Sequence, residues 1–308
     1  MSAWVLGGSR FFQFAATLTL FGLATFRLYS AGAYPALEYS GPWPRRLFPI
    51  LAGTGILSAL IWLGAETKDL AGSWTALCDI VVETSFGKAL VIRGAVLTLI
   101  LALSCLPRPV KSMRLLLCML SALAAASFAW TGHGAFSRVG ESEIHRLADI
   151  IHLLAAGAWI GALLAFTLLA VKAKREKNSG LPSLLAIDLA RFSAIGGPVI
   201  VALLVLSGLL NAWYLVGPGP RLWETLYRTA YGIVLLSKLT LFCGMLALAA
   251  KNRAILAPRL EQNLETGADT GPATLALLHS ISSETALSIL VVLAVATLGM
   301  LEPIYGTN

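Results

Sequence analysis

His133, His145 and His152 are three of the chain's four histidines and stand close together in the sequence, with Asp149 between the last two. Imidazole nitrogens and a carboxylate oxygen form a donor set for ions such as Cu(II), Zn(II) or Ni(II). If the segment is helical, at 100° per residue, Asp149 lies about 40° from His145, His152 about −20° and Trp159 about −40°. One stripe therefore carries all four side chains. His145 and His152 are about two turns apart, too far to share one ion unaided. His133, in the run Trp130-Thr131-Gly132-His133-Gly134, would join one of them. Asp149 would act as a ligand or as the group that fixes an imidazole tautomer. The same side chains have a plainer use as interhelical hydrogen-bonding groups, with His145 solvated at a helix end.

The element that positions this stripe must be a membrane helix. The chain's 308 residues are 57% hydrophobic and 13% charged, with a mean hydropathy of +0.78, more apolar than a soluble surface tolerates. A hydrocarbon core of about 30 Å takes roughly 20 helical residues to cross. Eight apolar runs approach that length, at about 10–27, 47–65, 89–106, 115–131, 147–171, 192–216, 229–250 and 281–301. None alternates polar and apolar residues as a membrane strand does. The expected fold class is all-α: a polytopic bundle of about eight transmembrane helices, forming one integral membrane domain over residues 1–308 with no soluble domain. No positive charge precedes Arg10, so the first run reads as a retained helix rather than a signal peptide. Gly196-Gly197-Pro198 predicts a kink. The stretch from Lys251 to Ser280, rich in Gly, Pro and Thr, reads as a mobile loop.

Basic residues set the orientation, because Lys and Arg are held on the cytoplasmic side. The odd-numbered connections, with Arg27, carry 14 of them and the even-numbered ones carry 6. The even loops and both termini are thus expected outside, and the histidine stripe at the outer face. The net charge of +7 then reflects topology and attraction to anionic membrane lipids; no basic and aromatic patch points to nucleic acid. The four cysteines make no C-x-x-C pair, which argues against a zinc or dithiol centre.

Ionisable side chains inside apolar spans are costly and so mark candidate sites. Arg93 lies a little below the outer end of the third span, with Glu66 and Glu83 flanking that face as ion-pair candidates. Asn211 sits at a comparable depth in the sixth span, so these groups are expected to line one polar cavity with the histidines. Lys238 falls near the middle of the seventh span, and Glu284, near the inner end of the eighth, is its candidate partner. Cys105, Cys118, Cys243, Met113, Met119 and Met245 place soft sulfur donors in the inner half, where Cu(I) would find an exit path.

The order of these blocks resembles the CopD copper-resistance family, also called PcoD, of bacterial inner-membrane proteins. Thr131-Gly132-His133 closes a helix, and His145 to Asp149 follows. His152-Leu153-Leu154-Ala155-Ala156-Gly157-Ala158-Trp159-Ile160-Gly161 then resembles the family's H-x-x-A-x-x-x-W-x-G signature. Arg191-Phe192-Ser193, Ser207-Gly208-Leu209-Leu210-Asn211-Ala212-Trp213, Tyr231-Gly232, Lys238, Asn252-Arg253, Pro258-Arg259-Leu260, Glu284 and Pro303 continue the match over nearly the whole length. The resemblance implies an eight-helix protein that imports copper across the inner membrane, beside a CopC-like periplasmic copper carrier.

Three functions follow. In the first, a permease and not an enzyme, copper is received by His133, His145, Asp149 and His152 and passes inward; no G-x-x-x-x-G-K-[ST] loop supplies ATP-driven energy. The second is a haem-binding membrane cytochrome or cupric reductase, with His133 and His152 on one haem. A second haem across the membrane would have only His279. The third is a structural partner that docks the periplasmic carrier.

Overall fold

The computed structural model describes residues 3–30, 42–71, 77–106, 111–131, 141–176, 180–216 and 226–301. The elements are α1 (Ala3–Tyr29), α2 (Pro42–Ala71), α3 (Leu77–Glu83), α4 (Ser85–Ser104) and α5 (Lys111–Ala126), which tightens into a 3₁₀ turn, Ser127–Trp130. Then come α6 (Glu141–Arg175), α7 (Leu181–Arg191) and α8 (Gly197–Val216), the last two joined by a π turn at Phe192–Gly196. A second π turn, Asn252–Leu256, joins α9 (Ala230–Lys251) to α10 (Ala257–Thr266), and α11 (Gly271–Leu298) completes the bundle. Among the described residues there is no strand, and 8 continuous helices are long and apolar enough to cross a membrane. The protein is a polytopic all-α membrane protein.

Several helices begin earlier or run longer than hydropathy predicts. The first starts at Ala3, which puts Arg10 inside it. The sixth span starts at Leu181, with Pro182 in its first turn, where a missing N–H costs nothing. Leu181, Leu185 and Leu189 then bury against the core at 6%, 0% and 6% exposure. The kink expected at Gly196-Gly197-Pro198 coincides with the π turn, a common way for a helix to bend.

The mobile loop expected from Lys251 to Ser280 is corrected outright. Pro258 and Pro272 sit in the first turns of α10 and α11, and Gly267, at φ 70°, ends α10 in the left-handed conformation that glycine accepts. The Gly and Pro content that suggests a loop instead marks helix starts and a helix stop.

α1 and α6 form the axis of the bundle. α1 packs on α2, α5, α6 and α11, α2 packs on α4, and α6 carries α8 and α11, with α9 against α11. The axis closes through glycine. A Cβ on Gly22 would meet the carbonyl oxygen of Gly157 at 1.9 Å, so the two backbones touch there. Gly157 and Gly161 are one turn apart, the small-xxx-small spacing that lets membrane helices approach closely. Around the crossing, Leu20, Leu23, Phe26, Ala162, Ala165, Phe166 and Leu169 fill the core. The stripe on α6 is thereby held rigidly relative to both halves of the bundle.

Candidate functional site

α6 and α8 run antiparallel, and their facing residues meet in three rungs. His145 stacks on the Tyr214 ring with centroids 5.0 Å apart. Asn211 Nδ2 donates toward Asp149 Oδ1 at 3.5 Å. His152 Nδ1 lies 3.0 Å from Ser207 Oγ. Three of the four residues of the stripe drawn from 100° per residue thus face α8, while Trp159 turns to Glu284 of α11. Because α6 starts at Glu141, His145 is a helical residue only 3% exposed, not a solvated one.

The third rung holds the imidazole by one ring nitrogen. Ser207 Oγ has one proton, which it donates to the Leu203 carbonyl oxygen one turn back. When that proton stays on the Leu203 carbonyl, the contact with His152 uses an Oγ lone pair and Nδ1 carries the imidazole proton. Nε2 is left with its lone pair, the arrangement of a metal-ligating histidine oriented by a neighbour. Gly208 packs beside the ring, where an added Cβ would be in ordinary contact with His152 Cε1 at 3.4 Å.

Lys238, on α9, lies within electrostatic range of Asp149 and His152. Tyr231, 5% exposed on the same helix, reaches Asp149 in the same way. Lys238 thus faces the histidine stripe and not Glu284, the partner expected from sequence. Glu284, 2% exposed, instead accepts Trp159 Nε1 at 2.8 Å on Oε1 and Asn252 Nδ2 at 3.2 Å on Oε2. The reason is depth: Lys238 and Asn252 share one continuous helix and are separated by about four turns, roughly 20 Å.

A second polar group belongs to α1, α2, α4 and α5. Arg93 is fully buried; its Nε donates to Ser127 Oγ at 2.7 Å and its Nη2 to Thr131 Oγ1 at 3.3 Å. Its guanidinium carbon lies 3.7 Å from the centre of the Phe128 ring. Neither expected ion pair forms: Glu66 accepts Trp62 Nε1 at 3.2 Å and Glu83 is exposed. Two hydroxyls and a ring face take the place of a carboxylate around the guanidinium, although its Nη1 is buried without a hydrogen-bond partner. The single cavity expected for Arg93, Glu66, Glu83, Asn211 and the histidines is thus two separate groups, one in each half of the bundle.

The sulfur atoms do not assemble into an inner path. Cys105 and Cys243 are exposed, Met119 is 63% exposed, Met245 is buried in the core, and Cys118 Sγ contacts Thr25 Oγ1 at 3.6 Å. Hydropathy gives depth but not direction around the helix, and most of these side chains point away from the interior. Among the described residues no three His, Cys, Asp or Glu side chains stand close enough together to hold a metal ion. His133, the third expected imidazole, lies outside the described residues.

Copper resistance protein D of Pseudomonas syringae pv. tomato is 35% identical to this chain over 309 aligned residues, covering 96% of the chain and 95% of that protein. The chain belongs to the copper resistance protein D family. Two family models agree: "Copper resistance protein D-like, N-terminal domain" matches residues 1–143 and "Copper resistance protein D" matches residues 186–298. Inner membrane protein YebZ of Escherichia coli K12 is 28% identical over 96% of the chain and 97% of its own length. Copper transport protein CutJ of Bacillus subtilis 168 is 31% identical over 63% of the chain and 36% of its own length. No solved structure matches the chain significantly.

In this family member the N-terminal match covers α1 to α5 and the C-terminal match most of α7 to α11, so α6, with its stripe, stands between them. Two site residues escape a reading of single spans. Ser207 looks like any helical serine until its proton is traced to Leu203, and Tyr214 looks like an interfacial aromatic until His145 is found against it. Ser207, Tyr231 and Asn252 do fall within the blocks that resemble the family, and that is the signal that singles them out.

Proposed function

We propose that this copper resistance protein D family member sits in the inner membrane with both termini outside, receives copper at the outer face through His133, His145, Asp149 and His152, and passes it to the cytoplasm. The observation that carries the reading is His152: Ser207 holds its Nδ1 at 3.0 Å, and in the Nδ1–H tautomer Nε2 is a lone-pair donor on the same stripe as His145 and Asp149. A copper ion is the cargo here, held transiently between helices, and imidazole with carboxylate suits Cu(II). The absence of an ATP-binding motif in the sequence supports movement driven by a gradient, by the membrane potential or by handoff from a CopC-like periplasmic carrier.

The test is metal binding and flux with the purified chain alone. Copper bound per protein, read by elemental analysis, should be lost in His133→Ala and His152→Ala, and copper should enter liposomes containing the wild-type protein. Undiminished binding in both variants overturns the site. A second reading rests on Lys238, whose positive charge near Asp149 and His152 opposes a bound cation. In that reading the three rungs only hold α6 to α8, and the protein docks a carrier without moving copper. Copper flux in liposomes without any carrier excludes it.

A further inference from the structure

At the end of the bundle opposite the histidine stripe, a cavity of about 310 Å³ opens between α9 and α11, lined by Lys251, Leu256, His279, Ser280 and Ser283 among others. Glu284 and Asn252 do not themselves line it, but each adjoins residues of its wall. Lys251 and Leu256 bracket Asn252 in sequence, and Ser280 stands one helical turn before Glu284. Two atoms here have unfilled hydrogen-bonding capacity: Asn252 Oδ1 and Ser280 Oγ are buried without a hydrogen-bond partner, in side chains 8% and 7% exposed. A buried oxygen acceptor with no donor is rare, and two beside one carboxylate and one cavity point to a missing donor. Glu284 itself is met by Trp159 from α6 and Asn252 from the π turn, both neutral, and the titratable side chains on the cavity wall are Lys251 of α9 and His279 of α11.

We propose that Glu284, Asn252 and Ser280 form a proton-exchange site supplied with water through this cavity, on the cytoplasmic side in the orientation proposed above. The occupant is a proton rather than a metal cation for two reasons. Among the described residues no three His, Cys, Asp or Glu side chains stand together here to replace a metal's hydration shell. Lys251 also lines the cavity, where its charge repels an entering metal ion, whereas a proton arrives along water, hydroxyl and imidazole groups. The step is a proton transfer alone: a cavity water or His279 gives up a proton, one Glu284 oxygen gains it, and no other bond changes. Asn252 Oδ1 and Ser280 Oγ then accept from the water that delivers it. The site is distinct from the copper stripe in residues and in depth, and it gives the bundle a group through which cargo movement and proton movement can be linked.

The experiment uses the full-length protein in liposomes, without copper. pH-difference infrared spectra should show a protonated-carboxyl C=O band that shifts in D₂O and is lost in Glu284→Gln. His279→Ala and Ser280→Ala, which leave Glu284 in place, should slow the deuterium exchange of that band several-fold. With the native cysteines replaced by serine, Ser283→Cys should react with an impermeant maleimide from the face that carries the odd-numbered loops. A band that persists in Glu284→Gln, exchange unchanged in both cavity variants, labelling from the opposite face, or a carboxylate that responds to sodium and not to pH each overturns the proposal. None of these readouts involves copper, so failure here is separable from failure of the copper-binding site.

Discussion

Gly161 of α6 stands against Gly22 of α1 so closely that a Cβ on Gly161 would lie 2.1 Å from the Gly22 carbonyl carbon. Backbone cannot rotate away as a side chain can, so any larger residue must push the two helices apart. Gly161→Leu should therefore destabilise the protein by about 2–3 kcal/mol, in the range of severe overpacking, and lower its apparent melting temperature in detergent. Gly53, where an added Cβ meets nothing within 4 Å, is the control: Gly53→Ala should leave melting unchanged. Equal melting of Gly161→Leu and wild type would remove the α1 and α6 crossing as the axis of the fold.

Arg93 tests whether a buried guanidinium is structural. Its two hydroxyl partners and the Phe128 face use the planar fork that lysine lacks. Arg93→Lys should lose most of what Arg93→Ala loses, about 2–3 kcal/mol for hydrogen bonds to a charged group left unmade in the interior. Full recovery of thermal stability by lysine would mean that charge alone is what the site requires.

The fold was almost wholly legible because the bilayer makes hydropathy a direct reading of span number. Direction around each helix was less so. The stripe of His145, Asp149 and His152 was visible because it repeats within one helix, where 100° per residue is enough. Its partners Ser207, Asn211, Tyr214 and Lys238 lie on α8 and α9, and helix rotation in a bundle is set by packing that a single span does not encode. The sulfur path failed for the same reason: Cys105, Cys243 and Met119 have the right depth and the wrong azimuth. Arg93 was expected to seek Glu66 or Glu83 because charge suggests charge, yet Ser127 and Thr131 were one helix away and the ring of Phe128 lay between them.

Native cysteines read the orientation without engineering. Cys78 is exposed on α3, and Cys105 is exposed at the far end of α4. An impermeant maleimide added to intact spheroplasts should label Cys78 and leave Cys105 unlabelled, and inverted membrane vesicles should reverse the pattern. Cys243 is exposed too, but it lies within the apolar span of α9 and should resist the reagent from both sides. The opposite pattern for Cys78 and Cys105 would invert the bundle and put the histidine stripe on the cytoplasmic face.

Lys238 discriminates a cation site from a polar clasp, because the two assign opposite signs to one substitution. In a copper site the ammonium is an unfavourable neighbour. Removing that repulsion in Lys238→Met should tighten copper binding by roughly tenfold or more, tenfold being about 1.4 kcal/mol. Asp149→Asn should weaken it, and the double variant should fall between them, since the two changes act on the same ion. In a clasp, Lys238 is the counter-charge of Asp149, and removing it leaves a carboxylate buried among apolar helices. Lys238→Met would then lower the melting temperature, and Lys238→Met with Asp149→Asn would restore it. Copper titration and thermal melting of the three variants give both signs. Tighter binding with little change in melting supports the stripe as a route for the ion, and rescue of melting by the double variant with no copper effect reduces it to helix packing.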